Sequence, residues 1–377
     1  MKQAIIPLYT PSDRVLVRSK GCYVYDSDGK EYIDFESGVW CTNLGHCNES
    51  ISKLMKSQLY TSVHHGYHFR NEHAEELSEK LLRLTGFDEG ASVFLSSGSE
   101  AINLAIVVAR HVTGRPKIVK IESSFLSAYG FGQASPENEV AVTIALNDTA
   151  AIDQLRFDEV AAFVLETGGA SYDMVRFPSK DFIKRLATRA KEHGCLVIAD
   201  EVTTGLGRTG RWFGFQHYEV TPDMVVTGKA LGNGYPISGI TVSEPLAAAL
   251  AKNTFRHAQS HQNDPLGCSI GAKVLDMMEE FNLVDISQKM GTCLKEQLEQ
   301  LRTKYPTKIR EVRARGLMLA VELTPEVDGD AIGRQLFDEG IVVGCKQNTL
   351  RLMPPLVITT TEINRLTHVL GQLLKAL

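Results

Sequence analysis

Short apolar strands that alternate with amphipathic helices constrain the fold of this chain more than any other feature. The segments "EVAAFVLE" and "CLVIAD" are almost wholly apolar, and the helical pattern "KDFIKRLATRAKEHG" lies between them. Earlier, the strand-like "SVFLSS" leads into the amphipathic helix "SEAINLAIVVARHV". Strands that are buried on both faces and alternate with helices are typical of an α/β fold. We therefore expect a mostly parallel central sheet covered by helices.

The two ends of the chain have a different pattern. Near the start, "CYVYDSDGKEYIDF" predicts a hairpin around an Asp-Gly turn. From about residue 308, "REVRARGLMLAVEL" predicts an antiparallel strand or strand pair, followed by the helix "AIGRQLFDEG", the strand "IVVG" and a final helix. We expect a smaller α+β domain formed by the C-terminal and N-terminal segments. The expected division is 1–70 for the N-terminal segment, 71–307 for the large domain and 308–377 for the small domain.

Composition excludes several classes of partner for these 377 residues. The formal charge is −5 and no basic block stands out, which argues against nucleic acid and anionic membrane surfaces. The seven cysteines are scattered without a C-x-x-C pair, which argues against a disulfide framework and a structural zinc site. No apolar run is long enough for a signal peptide or a membrane span. We expect a cytoplasmic protein that acts on small molecules.

Three chemically distinctive features fall at predicted strand ends, where open α/β sheets bind ligands. Ser97, Gly98 and Ser99 connect a strand to a helix, and they are either an ordinary N-cap or an anion site made of exposed amides. Asp200 ends a buried strand, where a carboxylate needs a partner. Lys229 follows the apolar "MVV", where it is either a solvated strand end or a functional amine. Pyridoxal 5'-phosphate accounts for all three features with one ligand.

Longer stretches of the chain then match a known family. The segments are "GCYVYDSDGKEYIDFESGVW", "NLGH", "SSGSEA", "ADEVTTGLGRTG", "TGKALGNGYPISG", "NDPLGC" and "RLMPPLVIT". Together they resemble the class III, acetylornithine/ornithine-type aminotransferases, which are fold type I pyridoxal-phosphate enzymes. The resemblance implies that Lys229 forms the Schiff base and shuttles the proton, and that Asp200 partners the pyridine nitrogen. It also implies that Gly98 and Ser99, in the turn that begins with Ser97, bind the cofactor phosphate.

The same resemblance assigns roles to six further residues. Val202 and Phe125 would lie on the two faces of the cofactor ring, and Glu166 occupies a family position at a strand end. Ser260 would donate to the phosphate across the interface of a homodimer, where the family usually has threonine. For the substrate, Arg351 would bind the α-carboxylate, because a planar guanidinium suits that task. Trp40 would line the substrate entrance, although burial in the core is an equally good interpretation.

Three positions depart from the family pattern. Ala128 stands where relatives carry an arginine for a distal carboxylate, and Thr203 stands where they commonly have glutamine. Ser171 replaces a glutamate that pairs with the carboxylate-binding arginine, so we expect Arg351 to be unmasked. Losing a second cationic site favours a monocarboxylic acceptor such as pyruvate over 2-oxoglutarate.

The resulting hypothesis is an aminotransferase that moves an amino group from an amine donor to a 2-oxo acid by a ping-pong mechanism. A racemase, epimerase or aminomutase of the same superfamily is the alternative, because all of these begin with the same Schiff base. Four histidines, His64, His65, His68 and His73, show no recognised ligand spacing, so we expect no metal. Arg208 is interpreted as a structural or interface residue.

Overall fold

A computed structural model describes residues 6, 8–9, 13–122, 124–133, 139–169 and 174–377. The strands are β1 (Leu16–Lys20), β2 (Tyr23–Asp26), β3 (Glu31–Asp34), β4 (Ala91–Leu95), β5 (Lys117–Ile121), β6 (Ala141–Ile144), β7 (Val160–Glu166), β8 (Leu196–Asp200), β9 (Met224–Thr227), β10 (Ser238–Val242), β11 (Ile309–Arg315), β12 (Met318–Leu323), β13 (Ile341–Val342), β14 (Gly344–Lys346) and β15 (Thr349–Leu352). The helices are α1 (Ser37–Trp40), α2 (Glu49–Gln58), α3 (Glu72–Thr85), α4 (Gly98–Thr113), α5 (Thr149–Asp153), α6 (Lys180–Glu192), α7 (Glu244–Lys252), α8 (Pro265–Glu280), α9 (Leu283–Lys304), α10 (Gly329–Asp338) and α11 (Thr360–Ala376).

The central sheet confirms the predicted α/β fold. Its seven strands lie in the order β4-β10-β9-β8-β7-β5-β6. Only β10 is antiparallel to its neighbours, and it separates β4 from β9. The other strands therefore share one direction, and their carboxyl ends meet at the same edge of the sheet.

Helices cover both faces of this sheet because the side chains of each strand alternate between the two faces. Along β7, Ala162 and Val164 pack in the same apolar cluster as Ile102 of α4. Phe163 and Leu165 pack in the opposite cluster, which includes residues of α6. Every residue of β7 is buried, which explains why its sequence reads as a continuous apolar run.

Two smaller sheets contain the ends of the chain. In the first, the hairpin β2–β3 lies between β1 and β13, and β13 pairs with β3 in parallel. The second is antiparallel, in the order β11-β12-β15-β14. The predicted strand "IVVG" is divided between them, since β13 and β14 lie in different sheets. The N-terminal segment does pack with C-terminal residues, whereas the boundaries near residues 70 and 307 stay predictions.

A buried arginine joins these parts of the molecule. Arg208 is 1% exposed and donates to the carbonyl oxygens of Leu317 and Pro354, to Ser37 Oγ and to Asn43 Oδ1. Burial lowers its pKa to about 9. These contacts agree with the structural role expected for Arg208, and they fix the loop that follows β3.

Across the described part of the chain, no helix combines the length and the apolar character that crossing a membrane would require.

Candidate active site

The carboxyl ends of β4, β8 and β9 border a cavity of about 360 Å³. Residues from several loops line it: Cys41, Ser96, Ser97, Gly98, Ser99, Phe125, Leu126, Asp200, Val202, Thr203, Lys229, Gly234, Tyr235, Pro236 and Ile237. Seven of the residues predicted to bind a cofactor therefore lie around one cavity. Glu166, Ser260, Arg351 and Trp40 lie outside this lining.

Lys229 follows the carboxyl end of β9, in the short 3-10 turn Lys229–Gly232. Its backbone φ of +43° is left-handed, a conformation that is rare for a residue with a side chain and is concentrated at functional sites. Burial lowers the pKa of its amine, and the nearby Asp200 charge partly opposes that effect. A lowered pKa increases the fraction of neutral amine near pH 7, which is the nucleophilic form.

Asp200 is 3% exposed at the end of β8, and its Oδ1 accepts a hydrogen bond of 3.1 Å from the Val202 amide. Burial raises its pKa to about 7, although that hydrogen bond and the Lys229 charge favour the ionised form. Among the described residues it belongs to no ion pair within 4.0 Å. A buried carboxylate in this state is well matched to a ligand that presents a protonated nitrogen.

At the N-terminus of α4, Ser97 is the helix N-cap, and the anion site formed by Ser97, Gly98 and Ser99 stays a prediction. The Ser97 hydroxyl caps the helix by accepting from the Glu100 amide at 3.3 Å, and Glu100 Oε2 accepts from the Ser97 amide at 2.9 Å. Both partners of this capping box are thus engaged. A Cβ added to Gly98 would lie 2.9 Å from Val202 Cγ1, so the close packing here requires glycine.

Phe125 and Val202 both line the cavity, as expected for residues that contact a planar ring. Glu166 lies behind Phe125 and is 4% exposed. Its Oε2 accepts from the Phe125 amide at 2.9 Å, and the register of β7 and β8 places Glu166 beside Asp200. Glu166 therefore positions Phe125 through its backbone.

The structure describes two of the three positions that depart from the family pattern. Ala128 is exposed, and its amide donates to Ser99 Oγ at 3.0 Å. Thr203 is 9% exposed and lines the cavity, and its buried Oγ1 has no hydrogen-bond partner among the described residues. Ser171 falls in the segment 170–173, outside the described residues. Ser260 is exposed, and its expected contact across a subunit interface involves a second chain.

The expectation that Arg351 is unmasked is wrong. Its guanidinium makes a two-point ion pair with Glu36, in which Nε lies 3.0 Å from Oε1 and Nη2 lies 2.7 Å from Oε2. Both side chains are only 13% exposed. Burial raises the pKa of Glu36, and the Arg351 charge offsets part of that rise. Glu36 follows β3 and supplies the acidic partner that the Ser171 position does not.

Trp40 lies beside this ion pair and near the cavity. Its ring centroid is 4.4 Å from the Arg351 guanidinium carbon and 5.0 Å from Lys229 Nζ. Its indole nitrogen donates to Glu36 Oε2 at 3.3 Å. Trp40 is 7% exposed and packs with Met318 and Met353, so it contributes to the core while also contacting the candidate site.

Comparison with known proteins identifies the family. A profile of the class III aminotransferases matches residues 8–127 and 127–374. The chain belongs to the class III aminotransferases. An uncharacterized aminotransferase of Archaeoglobus fulgidus is 32% identical over 366 residues, which cover 93% of this chain and 86% of that protein. The acetylornithine aminotransferase of Aquifex aeolicus is 32% identical over 379 residues, 95% of this chain and 96% of the relative.

The solved structures agree with the fold of this aminotransferase. The acetylornithine aminotransferase of Elizabethkingia anophelis superposes with a TM-score of 0.87 at 27% identity, covering 99% of this chain and 96% of that one. The architecture is therefore that of the fold type I transaminases, with the smaller sheets beside the central one.

Glu36 is the main residue of this aminotransferase site that sequence reasoning missed. It is 315 positions from Arg351, and no local pattern connects the two. The sequence offered only an indirect signal for this contact, namely the expected packing of the N-terminal segment with the C-terminal domain. An acidic residue at the end of β3 was thus a candidate partner for an arginine in that domain.

One of the four histidines in residues 64–73, His64, makes a contact that the spacing of these residues in the sequence did not predict. His64 Nδ1 lies 2.6 Å from Asp264 Oδ1, and His261 Nδ1 lies 2.6 Å from the other oxygen. Within the residues that the structure describes, these three are the group of ligand-type side chains close enough to hold an ion. The expectation that no metal is bound stays a prediction.

Proposed function

We propose that this aminotransferase uses pyridoxal 5'-phosphate, held in the cavity between Lys229, Asp200 and the N-terminus of α4. The buried Asp200 carboxylate carries this proposal, because it faces the cavity with a raised pKa and lies in no described ion pair. When bound, pyridoxal phosphate supplies an aldehyde that reacts with amines and a protonated ring that withdraws electrons.

The residues present fit such a group. The amides of Gly98 and Ser99 begin a helix of 16 residues, where the dipole and unpaired N–H groups favour a phosphate. The Asp200 carboxylate would hold the proton of a ring nitrogen, and its charge would stabilise that cation. Phe125 and Val202 would confine a flat ring between them, and the unpartnered Thr203 hydroxyl offers a further hydrogen bond.

Lys229 has two tasks in this proposal. Its Nζ would hold the cofactor between turnovers, and once displaced by a donor amine it would take and return a proton at the donor carbon. The lowered pKa supports both tasks, since each requires the neutral amine. Arg351 would bind and orient the substrate carboxylate after exchanging it for Glu36.

The chain is further proposed to act as a cytoplasmic homodimer in which Ser260 reaches the phosphate site of the partner subunit. Its substrates would be an amine donor and a 2-oxo acid acceptor. Acetylornithine and ornithine aminotransferases among its relatives support this chemistry, and their names identify those proteins' substrates.

A donor half-reaction tests the proposal. Protein saturated with pyridoxal phosphate is mixed with single α-, β- or ω-amino compounds, and its visible absorption is followed without any acceptor. A transaminase converts the cofactor stoichiometrically to its amino form, which a 2-oxo acid then reverses. Exchange of the α-proton with an unchanged visible band would instead indicate a racemase or epimerase.

Lys229→Ala should abolish the visible band of the bound cofactor and slow the half-reaction by several orders of magnitude. Lys252→Ala, which removes an exposed lysine at the end of α7, is the matched control and should behave as the parent protein. Normal turnover by Lys229→Ala would contradict the assignment.

A further inference from the structure

One carboxylate links the arginine of the candidate site to its tryptophan. Glu36 Oε2 accepts from Arg351 Nη2 at 2.7 Å and from Trp40 Nε1 at 3.3 Å. Its other oxygen pairs with Arg351 Nε at 3.0 Å. The edge of the guanidinium that would receive a substrate carboxylate is therefore occupied by Glu36, and the same group holds the indole.

Trp40 is in turn placed between two basic side chains. Its ring centroid lies 4.4 Å from the Arg351 guanidinium carbon and 5.0 Å from Lys229 Nζ, distances at which a ring attracts a positive charge. The two basic groups of the candidate site thus share one aromatic neighbour. A movement of the indole would change the surroundings of Lys229.

The backbone of Trp40 needs support from its neighbours. Its φ is +61°, a left-handed value that is uncommon for a large side chain. Three residues earlier, Ser37 donates to the Met353 carbonyl at 2.7 Å and accepts from Arg208, which anchors the start of this turn. The indole itself is held by packing against Met318 and Met353 and by its hydrogen bond to Glu36.

We propose that Glu36 is a positioning residue that couples carboxylate binding at Arg351 to the position of Trp40 beside Lys229. A substrate carboxylate that takes the Nε and Nη2 edge of Arg351 displaces Glu36. The displaced Glu36 can no longer hold Trp40 Nε1, so the indole shifts next to the lysine. The inference rests on the proposed function, in which Arg351 binds the carboxylate.

The ion pair between Glu36 and Arg351 also determines how Glu36 affects the affinity of the protein for carboxylates. Any carboxylate must compete with a two-point, largely buried ion pair, so Glu36 weakens apparent carboxylate binding. Replacing Glu36 with Gln keeps the size of the side chain and removes the competing charge. Carboxylates should then bind more tightly, whereas an uncharged analogue should gain nothing.

Tryptophan emission measures the coupling without turnover. The chain contains two tryptophans, so Trp212→Phe leaves Trp40 as the single emitter. The holoenzyme in this background is titrated with acetate at constant ionic strength, and with acetamide as the uncharged control. Acetate should change the Trp40 emission saturably, and acetamide should not.

Variants of Glu36 then test separately its competition for Arg351 and its positioning of Trp40. Glu36→Gln should lower the acetate concentration at half-saturation by roughly tenfold, equivalent to the loss of one competing charged contact. Glu36→Ala should show, without acetate, the emission of the acetate-saturated parent. Glu89→Gln changes an exposed glutamate before β4 and should match the parent in both respects.

Inhibition of the donor half-reaction by acetate provides an independent measure of binding. Acetate that inhibits through Arg351, as shown by loss of inhibition in Arg351→Gln, yet leaves Trp40 emission unchanged would overturn the coupling alone. Unchanged acetate affinity in Glu36→Gln would also overturn it. Inhibition that persists in Arg351→Gln would refute the proposed carboxylate site itself.

Discussion

At the scale of single residues, the candidate site concentrates groups whose protonation is altered by burial. Asp200 has its pKa raised to about 7 and Lys229 has its pKa lowered, in both cases chiefly because the charged form loses water. Without a cofactor, such groups cost stability, and a ligand that offers the complementary charge recovers it. The burial of both groups thus supports the proposal that a charged ligand binds between them.

Asp200→Asn tests this cost through the pH dependence of stability. Because the folded pKa lies above the ordinary value of 3.8, the folded cofactor-free protein binds more protons than the unfolded chain between about pH 4 and pH 7. This group thus makes the free energy of unfolding fall as the pH rises through that window. The Asn variant lacks the titration, so its stability relative to the parent should increase from pH 4 to pH 7, by on the order of a few kcal/mol.

Urea unfolding of the cofactor-free proteins at a series of pH values measures the difference. Asp88→Asn, at an exposed position before β4, should give a nearly constant difference from the parent. A similarly constant difference for Asp200→Asn would show that its carboxyl is not abnormally protonated.

Ala128 gives a second prediction at this scale, on the choice of acceptor. Since alanine stands there, position 128 offers no guanidinium to a second carboxylate, and we predict that kcat/KM is higher for pyruvate than for 2-oxoglutarate. Ala128→Arg should shift this ratio toward 2-oxoglutarate by roughly tenfold, the size expected of one charged hydrogen bond. Ala128→Gln, long but uncharged, is the control. A parent enzyme that clearly prefers 2-oxoglutarate would contradict the interpretation.

At the scale of elements, the N-terminus of α4 divides its tasks between neighbouring serines. The Ser97 hydroxyl caps the helix, whereas Ser99 Oγ accepts from the Ala128 amide and can still donate its own proton to a phosphate. Motif reading alone could not choose between a cap and an anion site. The structure assigns the cap to Ser97, and we propose that Gly98 and Ser99 bind the phosphate on the same turn.

Alanine substitutions should separate these functions. Ser97→Ala should lower the free energy of unfolding by about 1 kcal/mol and change cofactor affinity little. Ser99→Ala should do the reverse, with weaker pyridoxal phosphate binding and a smaller change in stability. Urea unfolding and cofactor titration of both variants measure the two effects, and weaker cofactor binding by Ser97→Ala than by Ser99→Ala would contradict the division.

The elements also show how far sequence reasoning reaches. The positions of Asp200 and Lys229 at one sheet edge were predictable, because a short apolar run identifies a buried strand and parallel strands bring their carboxyl ends together. The contact between Glu36 and Arg351 could not be predicted from the sequence, because it depends on how separate sheets pack. The division of "IVVG" between β13 and β14 has the same cause, since adjacent residues can pair with different strands without any change in local pattern.

At the scale of the whole molecule, Arg208 connects regions that are distant in sequence. Its four hydrogen bonds reach the loop after β3, the turn between β11 and β12, and the segment after β15. The family motif that contains it is therefore structural at this position. Glu36 and Trp40 lie in the loop that Arg208 fixes.

Arg208→Leu should lower the free energy of unfolding by about 3 kcal/mol or more, because it leaves buried carbonyl and amide oxygens without donors. Arg211→Leu, which changes an exposed arginine nearby, should cost less than about 1 kcal/mol. Chemical denaturation of both variants provides the comparison. Equal stability of the two would show that the buried contacts of Arg208 contribute little.

The parallel pairing of β3 with β13 has a consequence for how the chain matures on the ribosome. The hairpin that precedes Glu36 emerges early, yet Ile341, which pairs with Ile33, is translated near the end of the chain. Until then the nascent polypeptide exposes an incomplete sheet edge, which is open to pairing with other chains. Chaperone demand during synthesis should therefore be governed by the late arrival of this short strand.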